Sequence, residues 1–198
     1  TGSTFEKMQY QGLVDVISHC SEMEIKKFIL MSANGIEKNI TDYQRTKLAA
    51  ENYLMQSGLN YTIFRPSVIF GDPKGRMEFA TQLLNEMIIP PIPAVNFFSN
   101  LDPKLNSVMM SPVHVNDVVE AIYTALNSDI TNNKVYNLGG PFELSWIEII
   151  KTIMTVTKKK KLVIPMPIII MKIVTKLFSW IPHLPVTYDQ IIMLEQGN

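Results

Sequence analysis

Two apolar runs, "KKFILMSA" at 26–33 and "NYTIFRPSVIF" at 60–70, stand either side of one longer segment, and that spacing constrains the fold more than any other feature. Neither run alternates apolar with polar residues, as a strand wetted on one face does. Both read as strands buried on two faces, the condition of a parallel sheet. Parallel neighbours need a crossover of a dozen or more residues. The segment between them, "ITDYQRTKLAAENYL", supplies one: Thr41 followed by Gln44 makes a capping box, Lys47 to Glu51 are good helix formers, and Gly58 offers a stop. Strand, helix and strand in this order predict an α/β chain.

The flanks extend the pattern. "TFEKMQYQGLVDVISHCS" predicts a helix from Thr4 to about Ser21, with Met8, Leu13, Val14 and Ile17 along its apolar side. The second apolar run reads as a single strand ending at Gly71-Asp72-Pro73. "RMEFATQLLNEMI" reads as helix, and "IPPIPAVNFFSNLDPKLNS" as a long proline-rich loop of the kind that serves as a lid or binding segment. "SPVHVNDVVEAIYTALN" predicts a helix capped by Asp117 with Glu120 closing the box. "KVYNLGGP" reads as a strand with a glycine turn, and "LSWIEIIKTIMTVT" as a helix capped by Ser145. A short strand near Leu162–Pro165, an amphipathic helix from Pro167 and a last helix in "TYDQIIMLEQGN" complete the chain.

Composition sets limits on partners. Of 198 residues, 46% are hydrophobic and 18% charged, a globular profile, and eighteen basic residues balance eighteen acidic ones. No global field favours nucleic acid, so none is expected as a partner. The charge run "KKKK" at 158–161 reads as a solvated turn. Cys20 is a lone cysteine, which favours a reducing, cytoplasmic setting. His19, His114 and His183 lack ligand spacing, and no metal site is expected. "LVIPMPIIIMKIVTKLFSWI" is strongly apolar, but Lys172 and Lys176 interrupt it at i, i+4 spacing, and about 18 uninterrupted apolar residues are needed to span a bilayer. The expectation is an amphipathic element docked on the protein, with peripheral membrane contact as the alternative.

Tyr43 and Lys47 stand four apart and share one helix face, while Arg45 points to solvent. An ammonium beside a phenol stabilises the tyrosinate and draws the phenol pKa down, so that the group can exchange a proton with an alcohol or carbonyl oxygen. Taken alone, the pair is better described as a tyrosine packed under a helix and a solvated lysine.

"FILMSANG", "YQRTKLAAENYLMQSGLNYTIFRPSVIFG", "SPVHVNDVVEAI" and "YNLGGPFELSWIEII", in this order and separation, resemble the extended and atypical short-chain dehydrogenase/reductase superfamily. Within it, "GRMEF" and "LPVTYDQIIMLEQGN" are similar to the NAD(P)H-binding proteins of the respiratory complex I subunit type. The resemblance implies the C-terminal two-thirds of a Rossmann-type NAD(P)-binding fold, residues 1–73, plus a small α/β substrate lobe, 74–198, some of whose segments return to the Rossmann sheet. It implies that Tyr43 is the proton donor, that Lys47 lowers its pKa and holds the nicotinamide ribose, and that Ser32 is the catalytic hydroxyl. Pro66, Ser67, Val68 and Ile69 would offer backbone contacts to the nicotinamide, while His114 and Asp117 take structural roles.

Departures from the family pattern pull against turnover. Ser32 stands one or two places early, and an alternative alignment puts Ala33 or Asn34 there. Gln9 replaces the asparagine of many active members. Ahead of the Tyr43 helix the glycines are Gly2, Gly12 and Gly35, none in GxGxxG spacing, so the pyrophosphate-binding turn is not in this sequence. Three functions therefore stand open: an NAD(P)H-binding accessory protein with a respiratory-chain or other protein partner, peripheral on the inner membrane; an NAD(P)-dependent oxidoreductase or epimerase; or a truncated remnant. NAD or NADP is the expected cofactor of a full-length protein, bound weakly or not at all by this chain.

Overall fold

In the computed structural model, residues 6–98, 108–177 and 188–197 are described. In chain order they form α1 (Gly12–Glu22), preceded by a π-helical turn Glu6–Gln11, then β1 (Phe28–Met31), α2 (Asp42–Gln56), β2 (Tyr61–Pro66), β3 (Ile69–Phe70) and α3 (Phe79–Leu83). There follow β4 (Ala94–Phe98), β5 (Met109–Met110), β6 (Val113–His114), α4 (Val115–Leu126), β7 (Lys134–Leu138), β8 (Leu144–Ser145), α5 (Trp146–Val156), β9 (Val163–Pro167), α6 (Ile168–Leu177) and α7 (Tyr188–Gln196). The chain divides into two compact units, Thr1–Ser67 with Val115–Gly139, and Val68–His114 with Gly140–Asn198.

The first unit is built on a parallel sheet of order β1-β2-β7, with Phe28 opposite Tyr61 and Thr62 opposite Lys134. Alternation sends Leu30 and Ile63 to one face, where they pack with Ile17 of α1 and Leu54 of α2. Burial of each such aliphatic side chain stabilises by about 1.5–3 kcal/mol. Lys27 and Thr62 project to the other face and fasten it to the end of α4: the Lys27 ammonium donates to the Ala125 and Ser128 carbonyls, and Thr62 Oγ1 to Thr131 O at 2.8 Å. This is the Rossmann-type α/β arrangement, a parallel sheet between helices.

The capping box that opens α2 forms as expected, Thr41 Oγ1 accepting from Gln44 N at 3.2 Å. "NYTIFRPSVIF" is not one strand. Ser67 N donates to Leu138 O at 2.8 Å and closes the β1-β2-β7 sheet, after which Val68 O accepts from Val113 N and β3 pairs with β6. Proline at position 66 has no donor for another rung, and the chain changes sheets there. Asp117 is not a cap either: α4 begins at Val115, which leaves Asp117 in the first turn, where its charge suits the helix dipole.

In the second unit, the expected proline-rich loop over 89–107 contains a strand. Ala94–Phe98 pairs in parallel with Val163–Pro167, and residues 99–107 lie outside the described set. The strand near Leu162–Pro165 is the one expected, extended to Pro167, whereas prolines hid β4. Ala94 N donates to Leu162 O at 2.9 Å, so residues 162, 164 and 166 turn their backbone groups to β4, while Pro165 and Pro167 face away, where no donor is needed. The core gathers Phe97, Met110, Trp146, Ile150, Ile168 and Ile191. Trp146 Nε1 donates to Val95 O at 2.9 Å, and its ring lies 5.3 Å from that of Phe97.

The expected helix after Arg76 starts later, at Phe79, where the Glu78 carboxylate caps it by accepting from Ala80 N and Thr81 N. Gly140 is required by close approach, since a Cβ there would stand 2.0 Å from Pro112 O. Lys172 of α6 forms an ion pair with Glu195 of α7. Among the described residues no helix is long and apolar enough to cross a membrane.

Candidate functional site

Ligands of parallel α/β sheets bind beyond the carboxyl ends of the strands. Ser32 follows β1 directly, and two backbone bonds carry the β1–β2 ladder past the strand end: Ser32 N to Phe64 O at 2.7 Å and Asn34 N to Pro66 O at 2.9 Å. The Ser32 side chain is buried, and its Oγ has no hydrogen-bond partner among the described residues. An orphaned buried hydroxyl is costly, about 1–3 kcal/mol, and is common where a ligand completes the bond.

Helix α2 brings Tyr43 and Lys47 to the same strand end. Lys47 Nζ donates to Met31 O at 3.4 Å, one residue before Ser32, and lies 6.0 Å from the centre of the Tyr43 ring. Arg45 is exposed and pairs with Asp42. Burial pushes the Tyr43 phenol pKa up and the Lys47 ammonium pKa down, the latter partly offset by the charge of Glu51. The expected activation of the phenol by its lysine is therefore not the dominant effect: desolvation outweighs it.

The turn that leads from Ser32 to Tyr43 is fixed by Gln44, whose Nε2 donates to Gly35 O at 2.9 Å while its Oε1 accepts from Ile40 N at 2.9 Å and Thr41 N at 3.1 Å. Gly35 sits at φ +77°, a conformation glycine adopts freely.

One pair escaped sequence reasoning. Glu51, fully buried one turn beyond Lys47, receives both prongs of Arg65: Nε to Oε1 at 3.0 Å and Nη2 to Oε2 at 2.6 Å. Arg65 Nη1 also reaches Glu37 at 3.4 Å, which ties the Ser32–Tyr43 turn to β2. The hydrogen bonds to Glu51 hold the Arg65 pKa above its ordinary value. A carboxylate at the third i+4 position of "YQRTKLAAE" and an arginine in an otherwise apolar strand were the available signals.

Of the residues named from sequence, Ser32, Tyr43, Lys47, Pro66 and Ser67 belong to the first unit, and the first four are linked through the end of β1. Val68 and Ile69 belong to the second unit, where Val68 accepts from Val113 and Ile69 pairs with it. The polar set at the end of β1 suits the nicotinamide–ribose end of a dinucleotide. It offers an unpartnered hydroxyl, a lysine with donors to spare beyond one long bond, and a half-buried phenol.

Comparisons with known proteins bear on the fold and on the first part of the chain. Residues 1–87 match a family model described as NAD(P)H-binding. UDP-glucuronic acid 4-epimerase from Bacillus cereus, solved with UDP-glucuronic acid and NAD, superposes with a TM-score of 0.65 at 18% identity, over 93% of this chain and 67% of that one. UDP-glucose 4-epimerase from Thermus thermophilus, solved with NAD, gives 0.62 at 19% identity, over 94% and 70%. UDP-glucose 4-epimerase from Thermotoga maritima, solved with UDP-glucose, gives 0.63 at 20% identity, over 82% of this chain and 57% of that one. At such identities the likeness is one of fold, and the chain spans only 57% to 70% of the length of these enzymes. The first 87 residues thus match an NAD(P)H-binding model, and the chain has a Rossmann-type fold like that of these epimerases.

Proposed function

We propose that the chain is part of an NAD(P)H-binding accessory protein of the atypical short-chain dehydrogenase type, similar to the respiratory complex I subunit, which holds the dinucleotide without turning it over rapidly. The observation that carries the reading is the gathering of Ser32, Tyr43 and Lys47 at the carboxyl end of β1 inside the stretch that matches NAD(P)H-binding proteins. Lys47 would donate to ribose hydroxyls, Ser32 would complete its missing bond on the ligand, and the backbone of Pro66 and Ser67 would flank the nicotinamide. A respiratory-chain assembly is the proposed partner. Burial of Tyr43 favours binding over proton transfer, because a phenol with a raised pKa gives up its proton less readily.

The test compares reduced nicotinamide mononucleotide with NADH on the 198-residue chain. With no glycine-rich turn in the sequence, pyrophosphate contacts worth roughly 1.5–3 kcal/mol each are missing, and affinity is expected near millimolar. Both ligands should bind equally, and Lys47→Ala should weaken both. Micromolar NADH with far weaker mononucleotide, or no effect of Lys47→Ala, would overturn the site.

A second reading, an oxidoreductase or epimerase, draws on the Tyr43–Lys47 pairing on one helix face and on the epimerase fold. Nicotinamide supplies or accepts hydride in such chemistry. Tyr43 would move the proton at the substrate oxygen, with Lys47 holding charge beside it. Under this reading Tyr43→Phe lowers turnover of a probe such as UDP-glucose about 10²–10⁴-fold. Full turnover by the phenylalanine variant would remove it.

A further inference from the structure

The lysine run 158–161, which reads from sequence as a mere solvated turn, has unusual company. Residues 149–188 contain seven lysines and no aspartate or glutamate, and residues 87–101 carry no charge at all. The structure brings parts of these two stretches together at the entry end of the parallel β4–β9 pair. Lys161 Nζ donates to the Pro90 carbonyl, and Ala94 N donates to Leu162 O at 2.9 Å. Around these two bonds stand aliphatic side chains that the fold leaves in the open: Ile89 is 53% exposed, Ile92 61% and Leu162 68%. Lys158, Lys159 and Lys160 are exposed in the same turn. Glu86, the acid nearest in sequence to Ile89, is held by Gln82.

The backbone adds an independent sign. Lys158 N bonds Thr155 O at 3.2 Å and Lys159 N bonds Met154 O at 3.0 Å, which ends α5 in a Schellman motif with Lys158 at φ +54°. Glycine is the residue that position favours. A lysine stands there instead, against the local backbone preference.

From this we propose that the Ile89–Ile92 and Lys158–Leu162 turns form a docking face for an anionic lipid bilayer, the three aliphatic tips entering the headgroup boundary and the three lysines meeting lipid phosphates and carboxylates. Aliphatic tips rimmed by ammonium groups, with no acid within either turn, match the chemistry of interfacial membrane binding. The inference goes beyond the nicotinamide reading and is independent of it, since bilayer binding is measured without dinucleotide.

Co-sedimentation of the 198-residue chain with vesicles of phosphatidylcholine, with and without phosphatidylserine, tests the face. Binding is expected only to the anionic vesicles, and it should fall as salt rises from about 0.1 to 0.5 M, because screening shortens the reach of the lysines. The variant Lys158→Gly/Lys159→Gln/Lys160→Gln should bind about 100-fold more weakly, at about fivefold per lysine. Its glycine suits the left-handed position, so misfolding does not account for the loss. Ile92→Ser/Leu162→Ser should weaken binding about tenfold while leaving its salt dependence unchanged. Equal binding to neutral vesicles, none to anionic ones, or an unaltered lysine variant overturns the proposal. Binding to heparin that matches vesicle binding and ignores the Ile92/Leu162 change assigns the face to an acidic macromolecule instead. Sedimentation equilibrium showing dimers abolished by Ile92→Ser/Leu162→Ser assigns it to a second copy.

Discussion

Buried polar side chains divide unevenly between the two units. The first buries Ser32, Thr41, Gln44, Thr46, Glu51, Thr62 and Ser67; the second, among the described residues, buries Ser145 and Thr175. Those of the second unit serve their own helices, Ser145 as the cap of α5 and Thr175 Oγ1 on Met171 O at 2.8 Å. In the first, Thr41 and Thr46 likewise bond within α2, but three others reach across elements: Gln44 to the Gly35 turn, Glu51 to Arg65 on β2, and Thr62 to Thr131. Directional bonds between elements specify geometry, whereas apolar area stabilises without aiming anything. The unit with the candidate site is the one whose parts are aimed. The other is held chiefly by the packing around Trp146, Phe97 and Ile150.

Truncating the apolar core should therefore give the largest effect. Trp146→Ala removes the ring between Phe79 and Phe97 together with its bond to Val95 O, and is expected to cost about 3–5 kcal/mol in urea unfolding. A loss under about 1 kcal/mol would mean that the second unit is not held by this core, and the contrast would fail.

The first unit should answer differently to removal of one polar partner. Glu51→Ala leaves Arg65, its side chain only 16% exposed, without its bidentate partner, at an expected cost of about 3 kcal/mol. Replacing both members by apolar side chains, Glu51→Leu with Arg65→Met, should return stability to within about 1 kcal/mol of wild type, since neither an uncompensated charge nor an unpaired polar group is left buried. A double variant as unstable as Glu51→Ala would show that the site is aimed by packing after all.

What the sequence disclosed follows the range of each interaction. The capping box at Thr41/Gln44, the cap at Ser145 and the shared face of Tyr43 and Lys47 lie within four residues, where helix geometry alone decides. The bonds of Lys47 to Met31 O and of Arg65 to Glu51 and Glu37 join elements 14 to 28 residues apart, and no local pattern encodes them. Strand β4 was obscured by prolines 90, 91 and 93 before it and by those in its partner, whose outward parity is a property of the pairing. The direction of the Tyr43 shift was missed for the same reason: burial is a tertiary fact, and it outweighs the neighbouring ammonium.

Helix starts should not distinguish the units. Thr41→Ala and Ser145→Ala each remove the acceptor for an N3 amide, and each is expected to destabilise by about 1 kcal/mol. Hydrogen exchange in the first turns of α2 and α5 would localise the two losses. A Thr41→Ala loss several times that of Ser145→Ala would extend the contrast to the caps, as expected if Thr41 also anchors the Ser32–Tyr43 turn.

The smallest effect concerns acid. Hydrogen bonds from the Ser145 hydroxyl and then from its backbone amide hold the Glu148 carboxyl below the ordinary carboxylate range. A group whose folded pKa is depressed stabilises above its unfolded pKa, and that contribution is lost as pH falls through the folded one. Exchange protection at the start of α5 should therefore be constant at neutral pH and decline slightly once pH drops below the ordinary glutamate range, the part due to Glu148 being gone below the depressed value. Glu148→Gln keeps an acceptor for Ser145 N but cannot titrate, so the decline should disappear while the helix remains. In the first unit the equivalent position is Gln44, already an amide, so the Thr41–Gln44 box itself should contribute no acid dependence. Carboxyl shifts followed by NMR from neutral pH downward read the Glu148 titration directly. If α5 kept its protection through the whole titration, the carboxylate would be ornamental to the cap; if α2 lost protection in step with it, the acid response would belong to the whole chain rather than to the Ser145–Glu148 box.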